Sequence, residues 1–187
     1  MSDFDDIQAL WKTQPVTVPE IDMTALKKKA HRFSIQVKIR NVTEWLAAAF
    51  VMVIFLWMAA VNELPPVTRI GAVLIALGSA YVAWRIYRDG RLRELPDAAL
   101  DTNRYVKAYR DNLEAQADLL QNVPRWYLGP FVPGMVTFFA GFIIAAPAAW
   151  LKVMPVMAGC AAVFVAIGWL NRYAAKKLRR RAAELQQ

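Results

Sequence analysis

His31 and Cys160 are the only histidine and cysteine in the chain, and each stands without the company that chemistry needs. His31 falls between Lys29 and Arg32, with no cysteine or second histidine at ligand spacing. A metal centre or a general base requires several converging groups, so His31 reads as a solvated or lipid-facing side chain. Cys160 lies inside an apolar run, where a lone thiol makes neither an intrachain disulfide nor a multi-cysteine metal site. It reads as a small packing residue. There is no phosphate-cradling glycine loop and no nucleophile motif. The expectation is a protein that is not an enzyme and uses no cofactor or metal.

What is left is the chemistry of binding. The opening stretch "DFDDIQALWKTQP", Asp3 to Pro15, is acidic where a secretory signal would be basic, so it is expected to stay in the mature protein. Ser2 or Asp3 can cap a helix, and Asp5 and Asp6 sit in its first turn, where the helix dipole favours anions. Phe4, Ile7, Leu10 and Trp11 fall on one side, and Pro15 and Pro19 stop the helix. An amphipathic helix of about three turns is not stable alone in water. Its apolar face, Phe4, Ile7, Leu10 and Trp11, is therefore the candidate partner-binding site, docking in a groove of a partner or of this chain.

Basic side chains form the second binding feature, in a chain of net charge +8. Lys27, Lys28, Lys29 and Arg32, with Lys176, Lys177, Arg179, Arg180 and Arg181 in the tail, are expected to meet anionic lipid headgroups. No aromatic side chains interleave the basic tail, so direct nucleic-acid binding is not expected.

The elements that must position these residues are mostly apolar; the chain is 57% hydrophobic, and the apolar residues come in blocks. Four runs approach the length that crosses a hydrocarbon core of about 30 Å: Trp45 to Val61, Ile70 to Trp84, Tyr127 to Trp150 and Val153 to Leu170. Arg69 and Arg85 flank the second and can snorkel to headgroups. Lys and Arg concentrate before the first run, between the second and third, and after the fourth. The other two connections, around "NELPP" and "LKVMP", hold only Arg69 and Lys152. Cytoplasmic flanks retain Lys and Arg, which predicts both termini and the middle segment inside and the two tight turns outside.

Aromatic residues give the same boundaries, because Trp and Tyr favour the interfaces. Trp45, Trp84, Tyr87, Trp126, Tyr127, Trp169 and Tyr173 mark the inner side, and Trp57 and Trp150 the outer. With Asn41 on the inner side, the "NVT" sequon is not expected to carry a glycan. Ala72, Ala76 and Ala80, Gly134 with Gly141, and Ala158 with Ala162 offer faces for close helix contact. No Asp, Glu, Lys, Arg or His lies in the four cores; Ser79 and Thr137 are the polar residues there, expected to bond back to their own helices. That argues against ion coupling and leaves the bundle as an anchor.

The fold class expected is therefore an all-α membrane protein: four transmembrane helices in two hairpins, cytoplasmic helical extensions, and a short amphipathic N-terminal helix. Its parts are residues 1–43 (cytoplasmic N-terminal helices), 44–86 (first hairpin), 87–125 (cytoplasmic helical segment), 126–171 (second hairpin) and 172–187 (basic cytoplasmic tail). A helix starting near Asp22 or Thr24 carries Met23, Leu26, Ala30, Phe33 and Val37 at helical spacing and should run into the first span. Val106, Tyr109, Leu113, Ala117 and Leu120 make a similar seam in the middle segment. The two seams are expected to pack together.

At "DDIQALWKTQP", "LKKKAHRFSIQVKIRNVTEW" and "YRDNLEAQADLLQNVPRWYLGPFVPG" the chain resembles uncharacterised bacterial four-span inner-membrane proteins often encoded beside extracytoplasmic-function sigma factors. The most specific part is Arg125 to Gly134. The resemblance implies a sigma factor as partner and an anti-sigma role. This chain lacks the His and paired Cys of zinc-containing anti-sigma domains and the external sensor domain that most membrane-spanning anti-sigma proteins carry. The rival readings are a structural membrane component whose first helix packs on its own cytoplasmic pair or on lipid, and, less favoured, a small transporter. Homo-oligomerisation stays open.

Overall fold

The structure is a computed structural model that describes residues 22–97 and 101–185. Every regular element among the described residues is helical. They are α1 (Met23–Ala60), α2 (Pro66–Asp89), α3 (Thr102–Gln121), a π turn (Pro124–Leu128), α4 (Phe131–Ala145), a 3₁₀ turn (Pro147–Ala149) and α5 (Trp150–Ala183). Four stretches are long and apolar enough to cross a membrane: α1, α2, the π turn with α4, and the 3₁₀ turn with α5.

Local chemistry sets the helix ends. Asp22 caps α1, its Oδ1 accepting from the Thr24 and Ala25 amides at 2.9 and 3.0 Å, which relieves two of the amides a helix start leaves unpaired. Pro66 opens α2 at the position where proline loses nothing. Arg69 is engaged on the protein. Its Nε donates to the Ala59 carbonyl at 2.7 Å, satisfying the end of α1. The other turn differs from the sequence expectation too. Lys152 and Val153 lie inside α5 and Trp150 opens it, so the break between the helices falls at Ala146–Ala149 and not at "LKVMP". Pro147 is the cause: the residue before a proline is pushed out of the helical region, and Ala146 is extended with φ −146° and ψ 94°.

In the apolar slab α2 is central, packed antiparallel against both α1 and α4. The α2–α4 contact is made by glycines on both helices. Gly71 lies on the Phe138 backbone and Gly141 on the Thr68 backbone, so closely that a Cβ would overlap them. Gly134 meets Ile75, and Gly78 meets the Pro130 carbonyl, where an added Cβ would come within 2.7 and 2.9 Å. Toward α1, α2 turns Ala72, Ala76, Ser79 and Val82, all buried. Ser79 does not bond back to its own helix as expected; its hydroxyl donates to the Ala48 carbonyl of α1 at 2.7 Å. Thr137 does bond back, donating to the Pro133 carbonyl at 2.9 Å. Phe55 and Phe138 meet edge to face at 5.6 Å.

Ala80, Ala158 and Ala162, read from spacing as contact faces, are exposed. Helical spacing says which residues share a face, not whether a helix lies opposite. In the slab α5 has little opposite it, since the main helix contacts there join α1 to α2 and α2 to α4.

At the polar end the arrangement changes. Leu26, Ala30, Phe33 and Val37 of α1 share one core with Tyr105, Tyr109 and Leu113 of α3 and Ala182 of α5, and Leu92 and Leu95 of the α2–α3 connection pack on it. Phe33 and Tyr109 meet edge to face at 6.1 Å. A second core joins Ala117, Leu120 and Val123 to Ala175. The last turns of α5, read from sequence as a basic tail, thus supply a third apolar seam of Ala175, Leu178, Ala182 and Leu185, with Arg179 bonded to Asp118 at 2.7 Å.

Candidate functional site

Two places in this frame have the geometry of a site. The first is a groove of about 760 Å³ between α1 and the 90–96 connection, bounded at one side by α3. Its apolar walls are Phe33, Val37, Leu95, Tyr105 and Tyr109. Lys27, His31, Lys38, Arg91 and Arg93 stand round it with Glu94 as the acidic exception. Asn112, a polar residue buried in the seam of α3, ties the connection to that helix. Its Oδ1 accepts the Arg93 amide and its Nδ2 donates to the Arg93 carbonyl, both at 2.9 Å. Burial raises the Tyr109 hydroxyl above its ordinary range, opposed by Arg181, and burial raises Tyr105 as well. Both therefore stay neutral at physiological pH.

The second place is where the polar bundle meets the apolar slab. Arg40 donates from Nη2 to Gln116 Oε1 at 2.7 Å and to Asn41 Oδ1 at 3.2 Å. Asn41 Nδ2 donates to the Gly90 carbonyl at 2.7 Å, and Gln116 Nε2 reaches the same oxygen at 3.4 Å. One turn further along α1, Glu44 accepts the Tyr127 hydroxyl at 2.6 Å. The π turn brings Tyr127 there, and it aims Trp126 back onto α3, where its indole N–H donates to the Leu119 carbonyl at 2.9 Å. Arg40, Asn41, Glu44, Trp126 and Tyr127 border a pocket of about 180 Å³ that also touches Ile86 and the middle of α5 at Ile167, Leu170 and Asn171.

The docking residues Phe4, Ile7, Leu10 and Trp11 lie outside the described residues. Lys27, Lys28, Lys29 and Arg32 are exposed on α1, and Lys27 lines the groove. At 1.5 Å per residue they stand about 20–27 Å along the helix from Trp45, more than a Debye length of roughly 8–10 Å. Lys176, Lys177, Arg179, Arg180 and Arg181 are exposed on the last turns of α5, with Arg179 engaged by Asp118. The structure does not gather these basic residues into one site: Lys27 lines the groove, while Lys176 and Arg179 line a separate hollow between α3 and α5.

Arg40, Asn41, Glu44, Asn112, Gln116 and Asn171 were not legible as site residues. A signal existed for two of them: Asn112 and Gln116 are one turn apart within an apolar seam, where a solvated polar pair would not be placed. Chemically both places hold and position. Among the described residues no three of His, Cys, Asp or Glu converge to hold a metal ion. Compared with models of known protein families, with curated proteins and with solved structures, the chain matches none.

Proposed function

We propose that this is a non-enzymatic, multi-pass protein of a bacterial inner membrane that tethers or regulates a soluble cytoplasmic partner, of the anti-sigma kind. In this reading the four apolar helices form two hairpins, with both termini, the 87–125 segment and the polar ends of α1 and α5 in the cytoplasm. The uneven placement of Lys and Arg supports that orientation. The observation that carries the reading is the groove: a water-facing bundle with an apolar, basic-rimmed trough of about 760 Å³. Such a trough suits an acidic amphipathic helix. The resemblance carried by Arg125 to Gly134 is what points to a sigma factor as the partner.

The partner meets Phe4, Ile7, Leu10 and Trp11 as its docking face. Changing Phe4, Leu10 and Trp11 together to alanine should abolish co-purification of the partner from membranes while the protein stays folded; full recovery of the partner removes those residues from docking. Reporter fusions at Gly90 and Gln187 should report the same side of the membrane, and opposite sides would sink the topology.

One observation favours the rival reading, a structural membrane component. The acidic opening, Asp3, Asp5 and Asp6, complements the rim of the chain's own groove. Deleting residues 1–15 separates the two: loss of detergent stability marks internal packing, and an intact fold with lost partner binding marks docking. A small transporter has the least support, because the apolar cores carry no ionisable group.

A further inference from the structure

The pocket between bundle and slab has unused hydrogen-bonding capacity of two kinds, sorted by place. Arg40 spends only Nη2 on the protein, so among the described residues its Nε and Nη1 hydrogens have no partner. These donors border the pocket and are matched by a group that only accepts. Glu44 accepts Tyr127 at Oε2 and leaves Oε1 free among the described residues. Asn171 gives its amide hydrogen to the Ile167 carbonyl at 2.8 Å, which leaves Oδ1. Those acceptors call for a group that only donates.

Arg40 and Glu44 lie one turn apart on the same helix, where opposite charges ordinarily close an i,i+4 pair. They do not: no ion pair within 4.0 Å joins them. The space beside them, about 180 Å³, far exceeds the roughly 10–15 Å³ that a single bridging water needs. The rest of the lining is largely apolar, with Leu120, Val123, Ile167 and Leu170. Within the slab the main helix contacts join α1 to α2 and α2 to α4, and α1 with α5 is not among them.

We propose that this pocket is a specific site for a phospholipid whose phosphate is linked through two carbons to a primary ammonium. The phosphate sits on Arg40, whose planar donors suit it. The ammonium sits between Glu44 and Asn171, and the start of an acyl chain follows the leucine and isoleucine wall outward between α1 and α5. A trimethylammonium head has no N–H to give those acceptors, and a glycerol head brings no cation to Glu44. Selection is therefore for the primary amine and not for net negative charge.

The proposal rests on α1, α2, α4 and α5 crossing a bilayer but not on any protein partner. The test uses the full chain, purified in detergent and offered equal amounts of phosphatidylethanolamine, phosphatidylcholine and phosphatidylglycerol with identical acyl chains, with bound lipid read by native mass spectrometry. Phosphatidylethanolamine should be retained over both others by about tenfold, the size expected of one charge-assisted hydrogen bond. Glu44→Gln keeps an acceptor for Tyr127 and should bring phosphatidylethanolamine to parity with phosphatidylcholine; Arg40→Gln should lower all three. Asn171→Ala, at the pocket edge, gives a second reading of the ammonium end with a smaller loss of preference. Equal retention by the unmodified protein, a preference for phosphatidylglycerol, or a preference untouched by Glu44→Gln each overturns the site. Release of the protein from membranes by an alkaline wash would instead overturn the bilayer reading beneath it.

Discussion

The same helix, α5, is nearly bare in the apolar slab and firmly packed in the polar bundle, whereas α2 is wrapped on two sides within the slab. The contrast follows from the solvent. In lipid, apolar side chains gain nothing by leaving their surroundings, so helices associate where backbones come close and polar groups find partners. Helix α2 offers Gly71, Gly78 and Ser79 for that purpose; α5 offers alanines that face no helix. In water a seam as thin as Ala175, Leu178 and Ala182 is enough, because burying it removes apolar area from solvent. One chain thus uses two different rules of association a few turns apart.

Substitutions can break the contrast from either side. The largest effect is expected for Leu113→Ala, which empties a fully buried position where α1, α3 and α5 meet. It should cost about 2–5 kcal/mol and raise hydrogen exchange across α3 and the last turns of α5, while the slab amides stay protected. Uniform exposure of both regions would show that they are one cooperative unit. Next comes Gly71→Ala, which drives a methyl into the Phe138 backbone. Overpacking of this kind costs about 1–3 kcal/mol and should lower the detergent-melting temperature, while Ala162→Leu, on the bare face of α5, should leave it unchanged. A loss of stability from Ala162→Leu would mean that something covers that face.

The smallest effect concerns pH. The Tyr105 and Tyr109 hydroxyls are raised by burial from an ordinary value of 10.0. Above that pH the unfolded chain releases protons that the folded bundle retains, so the stabilisation is complete below about pH 10 and falls as pH rises beyond it. Far-UV circular dichroism in urea at pH 8 and above 10 should show the decline, and Tyr109→Phe should flatten it.

The parts of the fold that were legible follow single-helix rules. The apolar period of Leu26, Ala30, Phe33 and Val37, the cap at Asp22 and the proline at Pro66 all act through neighbours within a turn or two. What was not legible depends on what lies across a gap. Hydropathy ran through Ala146–Ala149 because the break there is made by the backbone preference before Pro147 and leaves no polar residue to mark it. The seam of α5 was hidden among arginines and lysines, and Gln116, 2% exposed and holding Arg40, was not read as part of any site. The docking residues Phe4, Ile7, Leu10 and Trp11 fall outside the described residues and owe everything to sequence.

The glycine contact between α2 and α4 reaches further than the slab. It holds the end of α2 near Ile86 and the π turn at Tyr127 side by side, so the intervening stretch is a loop whose ends are already joined. Closing a loop of that length from a free chain carries an entropic barrier that grows with the logarithm of its size. With the closure made in the slab, docking α3 onto α1 and α5 carries a smaller loop-closure cost than it would from a free chain.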